Sequence, residues 1–248
     1  MFPRLLVFSF ALAAMAVAEE DAPVEKPAPV EPVKPSVKQL DETNFQIGEV
    51  TFDKKSREIR FPTKVNMIEG QLEYLIVHEN GKVHESLLST TISPTHLNLA
   101  FTLLRYPPSR ELYTVGENDE GKPAKLPDVP AEVKAGARVN IDVEWMDNGK
   151  VRRIPVNEWI QHGVKETAMP AGPWVYGGSS FGEGKYFPET TGDVAAIFLS
   201  NAAILNYPGD DRDNDDVWTP FPKRVPAEGT NVTVIIAPFQ KTKPPTKP

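Results

Sequence analysis

At 248 residues, with 4 tryptophans and 12 phenylalanines, the chain is long enough to bury one sizeable core. A formal net charge of −7 argues against nucleic acid or an anionic membrane as partner, because both attract basic surfaces. The absence of cysteine excludes disulfides, thiolate metal centres, iron–sulfur clusters and cysteine nucleophiles.

The first residues read as a leader. Arg4 precedes an apolar run from Leu5 to Val17 that only Ser9 interrupts, and Ala16-Val17-Ala18 offers small residues for cleavage. The run falls short of the about 20 residues a membrane span needs. The expectation is removal of residues 1–18 on export, leaving no integral membrane segment, in the periplasm or outside the cell. No cysteine follows the run, which excludes a lipoprotein anchor. Residues 19–39 carry Pro23, Pro27, Pro29, Pro32 and Pro35 and read as an extended, flexible tether. Residues 240–248 repeat that composition as a disordered tail, so the folded unit is expected over residues 40–239.

Within it, FQIGEVTFD alternates but changes phase at Gly48, where a bulge is expected. EIRF reads as a strand that Pro62 ends. LEYLIVH and VHESLLSTTI flank Asn80-Gly81, a dipeptide suited to a two-residue hairpin turn, so an antiparallel hairpin is expected with its turn at Gly81. In that register His84 and Glu85 point to opposite faces of strands. Ser93 and Pro94 then signal a helix start, with Leu97, Ala100, Phe101 and Leu104 as its apolar face. Five prolines break the pattern from Arg105 to Glu132. Beyond them Val139, Ile141, Val143 and Trp145 alternate on one face, and Asn148-Gly149 turns the chain into VRRIPV. PWVY, DVAAIFLS and TNVTVIIAP supply further strands, with Gly177 and Gly178 as turn glycines after the first. Strands outnumber helices and βαβ alternation is absent. The expected fold is a single β-rich α+β domain of mostly antiparallel sheet, with one main helix packed on a hairpin.

Three motifs carry candidate chemistry. GSSFG, residues 178–182, matches the G-x-S-x-G elbow around Ser180, but no histidine follows His162, so the order Ser…Asp…His is unavailable and a glycine-rich turn is the better reading. The loop GDDRDNDD sets Asp211, Asp213 and Asp215 at alternate positions, as in the first half of a calcium loop. It lacks the glycine and glutamate an EF-hand then requires, so calcium would need another geometry. HENGKVHES holds His84 and Glu85, with His96 on the helix as a third ligand for a metal or a histidine–carboxylate site. A hydrogen-bonded structural histidine is the default reading. No catalytic residue is assigned and no cofactor is expected; a solvated acidic loop is the default reading of residues 209–216, with calcium as its alternative.

The run FPTKVNMIEGQLEYLIVHENGKVHESLL, followed by PWVYGGSSF and VPAEGTNVTVIIAP, resembles the YdjY-like family of exported bacterial proteins. The resemblance covers residues 50–239 and is most specific at GKVHESLL and VYGGSSF. It implies export and a shared fold, and transfers no mechanism. The functional expectation is an exported, non-enzymatic domain that binds a protein or small-molecule partner. The alternative is a metal-dependent or histidine–carboxylate enzyme centred on residues 73–104.

Overall fold

Strict alternation of buried and half-exposed positions makes Arg138–Asp147 the longest strand, with Val139, Ile141, Val143 and Trp145 on its inner face. In the computed structural model, which describes residues 36–114 and 125–240, this strand is one stave of a closed barrel. The staves in chain order are β1 (Ile59–Val65), β2 (Tyr74–His78), β3 (Ser86–Thr90), β4 (Arg138–Asp147), β5 (Trp174–Tyr176), β6 (Asp193–Ala196), β7 (Leu205–Asn206) and β8 (Asn231–Pro238). Around the barrel they run β1–β8–β4–β5–β7–β6–β2–β3, and Val65 opposite Leu88 closes β3 back onto β1. The seams β2–β3 and β6–β7 are parallel and the others antiparallel. The sequence expectation of a mostly antiparallel, β-rich domain is met in composition, but the sheet closes on itself. Closure removes the free edges an open sheet would expose.

The second Asn-Gly turn is as expected. Asn148 and Gly149 both have positive φ (49° and 78°), and β4 pairs with Lys150–Pro155 from Asp147 opposite Lys150. The first is not a hairpin. β2 and β3 pair in parallel, Ile76 opposite Leu88, joined by residues 79–85 with a short 3-10 turn at Val83–Glu85. Neither Asn80 nor Gly81 is left-handed. Gly81 is needed for close approach instead: a Cβ there would stand 2.9 Å from Thr191 O and 3.2 Å from Gly192 Cα. Hence Asn80→Ala, whose side chain makes no hydrogen bond among the described residues, should change stability by less than about 0.5 kcal/mol. Asn148→Ala should cost about 1 kcal/mol, because alanine is strained at positive φ. Paired urea titrations of the two variants check this.

Two further expectations are corrected. Gly48 is not a bulge: it opens a two-residue turn (φ 56°) between Asn44–Ile47 and Val50–Asp53, with Ile47 opposite Val50, so the phase changes because the chain reverses. Pro62 does not end its strand. One edge of β1 pairs with β8 throughout; on the other, Arg60 pairs with Thr51 and Lys64 with Ser89, so Pro62 falls where the neighbour changes and its missing N–H is not needed. The hairpin Asn44–Asp53 extends β1, and Lys38–Gln39 pairs with Phe45 and Gln46, so the ladder starts two residues before Leu40.

Helix α1 (Pro94–Leu103) begins as its sequence signals predict, with Ser93 Oγ accepting from His96 N at 3.3 Å. It buries Leu97, Ala100 and Phe101. It lies against the hairpin Asn44–Asp53 and a later short helix rather than on β2 and β3. The irregular stretch before β4 ends in α2 (Ala131–Gly136), which the sequence reading did not anticipate. That later helix is α3 (Phe187–Thr191), whose Glu189 carboxylate accepts from Thr95 N at 2.8 Å and from Ser93 Oγ. Burial alone would raise the Glu189 pKa, but these hydrogen bonds outweigh it and hold the carboxyl below its usual range. A depressed folded pKa contributes stability above the unfolded value, lost as pH falls through the folded one. Glu189→Gln should therefore cost at most about 1 kcal/mol at neutral pH, because solvent screens this exposed carboxylate, and the gap from wild type should close as the pH falls below about 4 in parallel denaturations.

Among the described residues no helix is long and apolar enough to cross a membrane. The expected leader, most of the tether and residues 241–248 lie outside the described residues.

Candidate functional site

A cleft of about 550 Å³ opens beside β2 and β6, lined by Glu73, Tyr74, Lys82, Arg110, Tyr113 and Ser200 among others. Its wall at Arg110–Tyr113 comes from the proline-broken stretch, which has no ladder to hold it. Two contacts pin it: Ser109 N donates to Tyr176 O at 2.9 Å, and Glu111, itself buried, accepts from Arg138 Nη2 at 2.6 Å.

The floor is a closed network. Asp193, 5% exposed at the start of β6, accepts from Tyr74 Oη at 3.3 Å and Ser200 Oγ at 3.0 Å through Oδ2. Tyr113 Oη donates to Ser200 O at 3.1 Å and accepts from Asn206 Nδ2 at 2.7 Å, while Asn206 Oδ1 accepts from Ser200 N at 2.9 Å. Burial, with Asp193 second, pushes the Tyr74 phenol up to about 12, and burial does the same for Tyr113. Both therefore keep their protons and donate. No histidine bridges Asp193 and Ser200, so the serine carries no general base of the triad kind.

The rim is charged. Lys82 Nζ lies 3.3 Å from Glu73 Oε2 and 3.5 Å from Glu85 Oε2. Burial alone would lower the Lys82 pKa, but Tyr74 and the two carboxylates outweigh it and raise it. Burial, together with Glu85, raises Glu73 against the opposing pull of Lys82. Arg110 differs. Its guanidinium lies over the Tyr113 ring, 4.3 Å from the centroid, and has no carboxylate partner among the described residues. The cleft thus holds a planar donor fork laid on an aromatic ring, over a floor of hydrogen-bonded polar groups. That arrangement suits a ligand anion.

The residues singled out from sequence lie elsewhere. The His84 side chain is 73% exposed on the 3-10 turn rather than on a strand, with Nε2 3.3 Å from Glu85 Oε1; Glu85 reaches the cleft only through Lys82. His96 lies over Gly48, where a Cβ would meet its ring. Among the described residues no three metal-ligating side chains converge, in the His84–Glu85–His96 set or in the acidic loop. Asp211 faces His162 Nε2 and Lys165 Nζ, each at 3.3 Å, while Asp213 and Asp215 are exposed. Gly177 and Gly178 both donate to Ile204 O, at 2.9 and 3.2 Å, and Gly178 has φ 71°. A Cβ on Gly177 would lie 3.3 Å from Tyr113 Oη, so this turn leaves room for a floor residue. Ser180 leads into the hairpin Phe181–Gly182/Lys185–Tyr186 rather than directly into a helix, so the elbow geometry is not formed.

Sequence reading missed Arg110, Tyr113, Asp193, Ser200 and Asn206. Asn206 did carry a signal, as a lone polar residue inside an apolar run destined for burial.

A family model described as the YdjY domain matches residues 50–237, from the Asn44–Asp53 hairpin to the end of β8, and the chain therefore belongs to the YdjY domain family. No curated protein and no solved structure matches the chain.

Proposed function

We propose that this member of the YdjY family is an exported, non-enzymatic binding domain that holds an anionic group of its ligand in the cleft at Arg110. The observation that carries the reading is the Arg110 guanidinium, laid on Tyr113 and free of any acidic partner among the described residues. Arginine in a concave, aromatic-lined setting presents paired donors to a carboxylate or phosphate. The floor supports binding over chemistry: Asp193, Ser200, Tyr74, Tyr113 and Asn206 hydrogen-bond one another, and no histidine links Ser200 to Asp193 as a triad would need. Export rests on the leader pattern at residues 1–18, and the proline-dense residues 19–39 read as an extended N-terminal arm of the exported chain.

The test is binding of small carboxylates and phosphomonoesters by the mature chain, and its loss on Arg110→Ala. The alternative, an enzyme centred on residues 73–104, rests on the His84–Glu85 contact at 3.3 Å. Bound metal in protein purified without chelator, lost in a folded His84→Gln variant, would favour that alternative.

A further inference from the structure

A second cavity, of about 260 Å³, lies between the strand Ile160–His162 and the acidic loop, lined by His162, Lys165, Tyr207, Asp210, Asp211 and Trp218 among others. Most of its polar groups are spoken for. His162 Nδ1 accepts from Lys165 N at 3.4 Å, which leaves Nε2–H to face Asp211 Oδ2 at 3.3 Å. Lys165 Nζ donates to the same oxygen at 3.3 Å, and Trp218 Nε1 donates to Asp211 O at 3.2 Å.

Tyr207 is the exception. It is 5% exposed, and its hydroxyl has no hydrogen-bond partner among the described residues. The hydroxyl end packs against Gly209, where any Cβ would collide with it, so the loop is built to leave that oxygen room. Burial, and then Asp210 and Asp211, raise its pKa, so it stays protonated and donates. The oxygen is not fully enclosed, as Trp159 Nε1 and Thr219 Oγ1 are; it opens to the cavity, where it donates to water or to a ligand that displaces the water. Asp210 beside it is an exposed carboxylate with no ion pair among the described residues.

We infer that this cavity binds a neutral polyhydroxylated ligand, a single sugar ring, through Tyr207 and Asp210. A phenol donor next to a carboxylate acceptor is answered by a group that both accepts and donates, and a hydroxyl does both through one oxygen. An ammonium would leave the phenol proton unmatched and would face Lys165. An anion would face both Asp210 and Asp211. Ala168 and Pro170 give apolar wall for the C–H face of a ring. The volume, just under the roughly 300 Å³ at which pockets for drug-sized ligands begin, has room for one such ring.

The test uses the ¹⁵N-labelled mature chain and its Trp218 indole N–H, which is bonded to the loop carrying both carboxylates. The chain is titrated to tens of millimolar with D-glucose, D-galactose, N-acetyl-D-glucosamine and glycerol. At least one sugar should shift the Trp218 resonance in a saturable way. Tyr207→Phe removes only the hydroxyl and should weaken that binding about tenfold or more at unchanged melting temperature. Asp210→Asn should do likewise, while Arg110→Ala should leave it intact, so failure here and failure of the anion cleft read separately. A Trp218 resonance indifferent to every sugar overturns the proposal, as does undiminished binding by Tyr207→Phe. A shift produced by calcium but by no sugar also overturns it and returns the loop to a metal role.

Discussion

Replacing Phe101 by alanine should destabilise the protein by about 3–5 kcal/mol, the range for truncating a buried phenylalanine. The ring is fully buried in the main core, stacked on Tyr176 at 4.2 Å with an interplanar angle of 9°, and it meets Tyr106 edge-on at 5.2 Å. Few residues join as many parts of the fold: α1 carries it, β5 carries Tyr176, and Tyr106 opens the stretch that leads to the cleft. Its neighbours are staves and aromatic rings that cannot collapse into the void, so the cavity term adds to the lost transfer energy. Domains of this kind are typically stable by about 5–15 kcal/mol, so the variant should sit near its folding threshold. Leu103→Ala on the same helix, 51% exposed, should stay within about 0.5 kcal/mol of wild type. Chemical denaturation of both variants decides it. A loss below about 1 kcal/mol for Phe101→Ala would place α1 outside the core.

What the sequence made legible follows from how local each signal is. Ser93-Pro94 and the apolar face of α1 lie within one helical stretch, and the helix forms where they say. The alternation of β4 and its Asn148-Gly149 turn are local too, and the pairing follows. Periodicity, however, reports which face of a strand is buried and is silent on its neighbour. It could not foretell that Leu88 lies opposite both Ile76 and Val65, which is how β3 joins β2 to β1 and closes the barrel. Asn-Gly misled at residues 80–81 because glycine serves two ends, positive φ or close backbone approach, and only the packing of Gly81 on Thr191 and Gly192 tells them apart. The cleft was hidden for a related reason. Arg110 and Tyr113 come from a stretch without period, held in place by residues far along the chain.

Anion binding in the proposed cleft turns on Arg110. A charge-assisted, paired hydrogen bond to a carboxylate or phosphate is worth about 1.5–3 kcal/mol, or roughly 10- to 100-fold in affinity. Arg110→Ala should remove that much at unchanged stability, since the side chain is exposed and, among the described residues, contacts only the face of Tyr113. Arg110→Lys should restore little, because an ammonium cannot reproduce the planar fork. Added salt should weaken wild-type binding and leave the residual binding of the alanine variant nearly unchanged. The direct measurement is isothermal titration of the mature chain and Arg110→Ala with a panel of small carboxylates and phosphomonoesters. The account predicts at least one saturable, salt-sensitive ligand for the wild type and a 10- to 100-fold loss in the variant. Binding that ignores Arg110→Ala, or no binding of any anion at millimolar concentration, would contradict it.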